Sequence, residues 1–123
     1  MENKLDNIQM AIARAVDHPE LNFNVGKMYY NNAIDKLIGN NKIPNFVHNG
    51  SNFKVNEESN MLFKQSIPYF KNAIKYYDSL DDKDKDENRN NLYHCLYSLS
   101  TVYIRLGMYD ELKPVKTRID EMY

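Results

Sequence analysis

The chain holds one cysteine, Cys95, and no tryptophan in 123 residues. A single thiol excludes an internal disulfide. Its place between Leu92 and Leu99, on a largely apolar helix face, assigns Cys95 the role of a small core filler. The chain also lacks an excess of either charge: the formal net charge is −1 and the isoelectric point is about 6.3. A general nucleic-acid binder needs a basic face to release counterions, and that balance does not supply one. No stretch approaches the ~20 apolar residues of a membrane span, so no membrane insertion is expected. The opening MENKLDNIQM has no basic start followed by an apolar run, so no signal peptide is read there. The compartment stays open: cytoplasmic if Met1 is the native start, exported if an upstream signal was removed.

Catalytic signals are lacking too. His18, His48 and His94 are far apart and have no Cys or carboxylate partners at metal spacing. There is no phosphate-binding glycine loop and no nucleophile motif. We therefore expect no enzyme activity, no cofactor and no metal. The acidic run Asp81–Glu87 carries about −3 by residue count, but lysines interrupt it and it has no glycine, so it is not a calcium loop.

What is present is helical periodicity. Apolar content is 42% and charged content 27%, ordinary for a globular chain of one domain or part of one. Between Leu92 and Met122, the residues Leu92, Leu96, Leu99, Val102, Tyr103 and Leu106 recur at helical steps. Gly107 stops that helix, because a left-handed residue is needed just past a helix end. A second apolar face follows at once through Met108, Leu112, Val115, Ile119 and Met122. So short a turn forces the two helices antiparallel.

This hairpin resembles a tetratricopeptide repeat (TPR). Leu96, Leu99, Ser100, Tyr103, Gly107, Tyr109, Leu112 and Ile119 stand at the family's pattern positions. Leu112 and Ile119 replace the usual alanines and Lys116 replaces an aromatic, as in a terminal unit. Further up the chain, PELNFNVGKMYY resembles a first helix of the family, with Gly26 as the small packing residue and Tyr29 as the repeat tyrosine. SIPYFKNAI resembles a second helix, with Ser66, Phe70 and Ala73 at the small, aromatic and small places.

Taken in order, residues 4–16 are expected to form a helix on Leu5, Ile8, Ala11, Ile12 and Ala15, similar to the second half of a unit. No first half precedes it, so either the protein begins on a half unit or, the favoured expectation, the chain is a C-terminal piece of a longer, bacterial-type array. Asp17 and Glu20 form a capping-box pattern before a helix that runs to Ile38 and ends at Gly39. Residues 40–55, rich in Asn, Gly and Pro, are expected as a long loop, since helix–helix connections usually take roughly 2 to 8 residues. A helix from Asn56 to about Leu80 follows, with a kink expected before Pro68. Asp84 and Glu87 suggest the start of the last unit, 84–123. The expected fold is thus all-α. It has about five helices, two of them elongated, in antiparallel TPR-type pairs stacked as a short right-handed superhelix. All lie in one domain, 1–123, with 19–80 as the first unit.

The resemblance implies a protein–protein interaction module whose first helices line a concave groove. The inward residues would be Phe23, Lys27, Tyr30 and Asn31 from one unit, and Tyr97, Thr101 and Arg105 from the other. Lys27 and Arg105 are suited to a carboxylate or a backbone carbonyl of a bound peptide. Phe23 and Thr101 stand where a carboxylate clamp of the family needs polar or basic donors, so that function is not carried over. Two cations across two units are too few for RNA. The other reading is structural: a capping or oligomerisation segment with no ligand of its own, capable of self-association. The polar outer face of Lys113, Lys116, Arg118, Asp120 and Glu121 suits it.

Overall fold

The computed structural model describes residues 18–39 and 50–122. They form five helices: α1 (Pro19–Gly39), α2 (Gly50–Asp78), α3 (Asp82–Glu87), α4 (Arg89–Leu106) and α5 (Tyr109–Met122). There is no strand among the described residues. The helix expected at 4–16, the cap expected at Asp17 and residues 40–49 of the expected loop lie outside them.

Proline opens α1, where its missing N–H costs nothing. The His18 carbonyl accepts both the backbone amide and the side-chain amide of Asn22, each at 3.0 Å. α1 then continues through Asn32 and Ala33 to Gly39, as its apolar spacing predicts. α2 differs from expectation at its start. Residues 50–55 were read as loop on their Gly and Asn content, yet the helix begins at Gly50. No proline follows Pro44 until Pro68, and lengthening a formed helix adds a hydrogen bond for each residue fixed, whereas starting one does not. Pro68 is accommodated within α2. Pro68 and Lys64 are both exposed, so the carbonyl that loses its N–H partner lies on the side open to water.

The charged connector also differs. The capping residue is Asp81, one turn before α4's expected start at Asp84. Asp81 has extended backbone (φ −74°, ψ 173°), and its Oδ1 accepts the Asp84 amide at 2.9 Å. That backbone geometry, with a side-chain oxygen facing an unpaired N–H, is what a helix start requires. α3 closes at Asn88, and α4 begins in the next residue.

α4 ends as its glycine predicts. Gly107 is left-handed (φ 71°, ψ 22°). The Met108 amide donates to the Tyr103 carbonyl at 2.8 Å and the Gly107 amide to Ile104 at 3.1 Å. This pair of bonds is the Schellman motif, and Met108 packs back on the core.

Side-chain ties set the helix directions. Ser59 Oγ donates to the Ala33 carbonyl at 3.2 Å, and Asn72 Nδ2 to Asn22 Oδ1 at 3.4 Å, so α1 and α2 run antiparallel. The α4–α5 hairpin is antiparallel through Gly107, and Arg89 at one end of it donates to the Met122 carbonyl at the other. α2 joins the two pairs by packing on α4. The core lies at that junction, where Phe63, Phe70, Leu96 and Val102 are almost wholly buried. Burying a side chain of that size contributes about 1.5–3 kcal/mol. Ala73, Leu99 and Tyr103 join it. Tyr29 stacks on Tyr69 at 5.8 Å, whereas Tyr109 is 59% exposed.

One contact sets the spacing of α1 and α2. The Phe70 ring lies directly over Gly26, and a Cβ there would approach Phe70 Cε1 to 2.7 Å. Any larger residue would separate the helices.

Candidate functional site

Four of the seven residues expected in a groove converge. Tyr30, on α1, packs edge-on against Phe63 with ring centres 5.4 Å apart. Its hydroxyl lies near Thr101 and Arg105 on α4. Lys27 Nζ stands 5.1 Å from the centre of the Tyr30 ring, and the Arg105 guanidinium lies 5.6 Å from the Phe63 ring centre. Two cations thus flank one phenol, each over an aromatic face that favours positive charge. Tyr30 belongs to the first helical pair and Arg105 to the second, so this cluster joins helices more than 70 residues apart in sequence.

Burial opposes ionisation of the Tyr30 phenol. Hydrogen bonds with Thr101 and Arg105, together with the charges of Arg105 and Lys27, outweigh it and hold the phenol below the usual tyrosine range. The site is therefore electropositive and donor-rich, a setting that favours an acceptor oxygen on a bound molecule.

The other three expected residues are placed differently. Tyr97 is 54% exposed and stacks on Tyr93 with ring centres 6.1 Å apart. Asn31 is exposed on α1. Phe23 is half-buried and tilts against Phe70 at 5.8 Å, so much of its ring belongs to the core. It also borders a cavity of about 320 Å³ with Glu20, Tyr77 and His94. Ile104, 51% exposed, was missed as a surface residue. Its signal is the seven-residue spacing from Tyr97, which puts both on one side of α4.

A larger cleft was not anticipated. About 460 Å³ in volume, it lies between α2 and α5 with α4 as its floor. The floor is apolar: Leu96, Leu99 and Tyr103, with Ile74 and Val115 on the walls. Arg118 bridges the walls by a two-pronged pair with Asp78, at 2.7 and 3.0 Å. No sequence motif marks this cleft, since three separate elements supply it.

Among the described residues, no three His, Cys, Asp or Glu side chains gather to hold a metal ion, and no helix is long and apolar enough to cross a membrane. Cys95 is buried, and that burial pushes its thiol up to about 12, far from a reactive thiolate. No protein-family model matches the chain, and no curated protein or solved structure matches it either.

Proposed function

We propose that this chain is a helical-repeat interaction module of tetratricopeptide type, which binds a peptide or protein segment across the face shared by α1 and α4. The observation that carries the reading is the convergence of Lys27, Tyr30, Thr101 and Arg105 beside exposed Tyr97. Antiparallel pairs, a tight glycine turn and a glycine at the α1–α2 crossing all support the repeat assignment. In this reading the tyrosines offer flat apolar area at little entropic cost. Lys27 and Arg105 take a carboxylate or carbonyl of the bound segment. The chain's role is recognition, with no catalytic step assigned to it.

A peptide-display selection against the immobilised protein tests this. The expected result is an enriched motif whose binding falls at least tenfold for a Tyr97→Ala/Arg105→Ala variant of unchanged helix content. A motif bound equally by that variant would remove the site from this face.

A second reading is favoured by α5, which has no buried residue although four apolar side chains, Leu112, Val115, Ile119 and Met122, lie on its inner side. In that reading the terminal pair is a cap or self-association segment of a longer scaffold. Sedimentation velocity across a hundredfold concentration range separates the two. A reversible dimer supports self-association, and a monomer at every concentration speaks against it.

A further inference from the structure

One face of α4 is left open. Tyr97 and Ile104, both half exposed, lie on it seven residues apart, roughly 10 Å along the helix axis. Tyr93 stacks on Tyr97 and extends the same stripe. Between the two apolar side chains stand the smaller Ser100 and Thr101, so the surface dips. Each hydroxyl already donates within its own helix, Ser100 Oγ to the Tyr97 carbonyl at 2.6 Å and Thr101 Oγ1 to the Ser98 carbonyl at 2.7 Å. Covering the dip therefore strands no donor. Residues at i, i+3, i+4 and i+7 are the set that receives one side chain of a facing helix. The apolar area a partner covers is that of Tyr97 and Ile104, which is open to water, rather than the floor between them.

Charge narrows the choice of partner. Arg105 follows Ile104 at the edge of the stripe, and Lys27 stands over the neighbouring Tyr30 ring. Among the described residues, neither cation has a carboxylate within ion-pair distance, whereas Lys36, Lys116 and Arg118 each have one. α4 itself, RNNLYHCLYSLSTVYIRL, holds no Asp or Glu. The α4 of a second copy laid on this face brings no answering charge, and a partner carrying a carboxylate does. A helix also satisfies its own backbone. An extended segment needs outside partners for its main chain, and engaged hydroxyls do not donate to it.

Resting on the α1–α4 face proposed above, we infer that its partner is an amphipathic α-helix of another protein. That helix seats one apolar side chain between Tyr97 and Ile104, and places an Asp or Glu one turn away against Arg105 and Lys27.

Two peptide libraries displayed against the full chain test this. One varies one face of alanine-rich helices of about 14 residues, roughly four turns. The other carries a proline at every third place, which holds it extended. The expected result is enrichment from the helical library of sequences with a large apolar residue one turn from an Asp or Glu. The best of these, made as a synthetic peptide, should bind Ile104→Ala ~3- to 10-fold more weakly. Met61→Ala, which trims an exposed apolar side chain of α2, should leave binding unchanged. Arg105→Glu should also weaken the peptide, and a Lys in place of the peptide's acid should restore binding to that variant. Each variant is compared at unchanged helix content. Equal or tighter binding by extended peptides, lost in Tyr97→Ala/Arg105→Ala, would keep the face and overturn the helix. A helical peptide bound equally well by that double variant would remove the face itself, and this inference with it. Enrichment from neither library would overturn the proposal, as would an Arg105→Glu loss that Lys does not recover. So would a dimer of the protein that Ile104→Asp abolishes, because a second copy then fills the face.

Discussion

The ring of Phe70 occupies the space where a side chain at position 26 would begin, with Cε1, Cδ1 and Cζ all within 3.0 Å of a Cβ built on Gly26. Phe70 has no exposed surface, so its ring cannot swing aside. Gly26→Ala should therefore destabilise the fold by about 1–3 kcal/mol through overpacking. This outweighs the ~1 kcal/mol that alanine gains over glycine inside a helix. Urea denaturation is the measurement. A Gly26→Ala/Phe70→Leu double variant should recover part of the single-variant loss if the clash is the cause, and the two effects should simply add if it is not.

Gly107 poses a different constraint. A Cβ there would find open space, with Tyr109 Cε2 at 4.0 Å as its nearest neighbour. The cost of substitution is then purely backbone strain at φ 71°. Gly107→Val should cost on the order of 1–2 kcal/mol, and Gly107→Asn clearly less, because asparagine tolerates the left-handed region. Equal losses for the two, read as thermal midpoints, would mean that crowding rather than φ governs the site.

These two glycines show where the sequence was legible. Gly107 interrupts an apolar helical pattern, so the hairpin turn could be located from spacing, whereas Gly26 stands out only through the resemblance of its stretch to a repeat helix. Helix starts were harder. Gly50, Ser51 and Asn52 resemble loop composition, but extension of α2 costs less than nucleating it, and composition does not register that difference. At the connector, Asp81 and Asp84 both suit a cap, and only backbone dihedrals distinguish them. The Lys27–Tyr30–Arg105 cluster was partly legible, but only through the resemblance to a repeat, which placed those residues on an inward face. The α2–α5 cleft was not. Its floor residues Leu96, Leu99 and Tyr103 each read as core and are buried, and the cleft above them depends on how α5 sits beside α2, a tertiary quantity.

Cys95 makes stability depend on alkaline pH. Burial raises its thiol from the ordinary 9.0 to about 12. The folded state therefore keeps the proton to higher pH than the unfolded state does. The stability is fully present below pH 9 and falls as pH rises from there toward 12. Tyr77, Tyr103 and Tyr29 are also raised by burial and add to the loss above pH 10. Tyr30, which is lowered, opposes it. Comparing wild type with Cys95→Ala at each pH isolates the thiol. Between pH 9 and pH 10 wild type should lose about 1 kcal/mol more than the variant. Parallel pH profiles would show that the thiol does not remain protonated in the fold.

The pair between Arg118 and Asp78 ties α5 to α2 across the cleft, and its two-pronged geometry at 2.7 and 3.0 Å is good. Both side chains are about 40% exposed, however, so water and salt screen the attraction. A double-mutant cycle with Arg118→Ala and Asp78→Ala should give a coupling of about 0.5–1 kcal/mol in low salt. The coupling should shrink toward zero in 1 M salt, where the screening length is about 3 Å. α5 packs mainly on α4 and buries none of its residues fully, so even this modest tie has a local consequence. Hydrogen exchange in α5 should accelerate in Arg118→Ala while the amides of α1 and α2 keep their protection. Uniform acceleration through all helices would instead mean that α5 opens only with the whole domain.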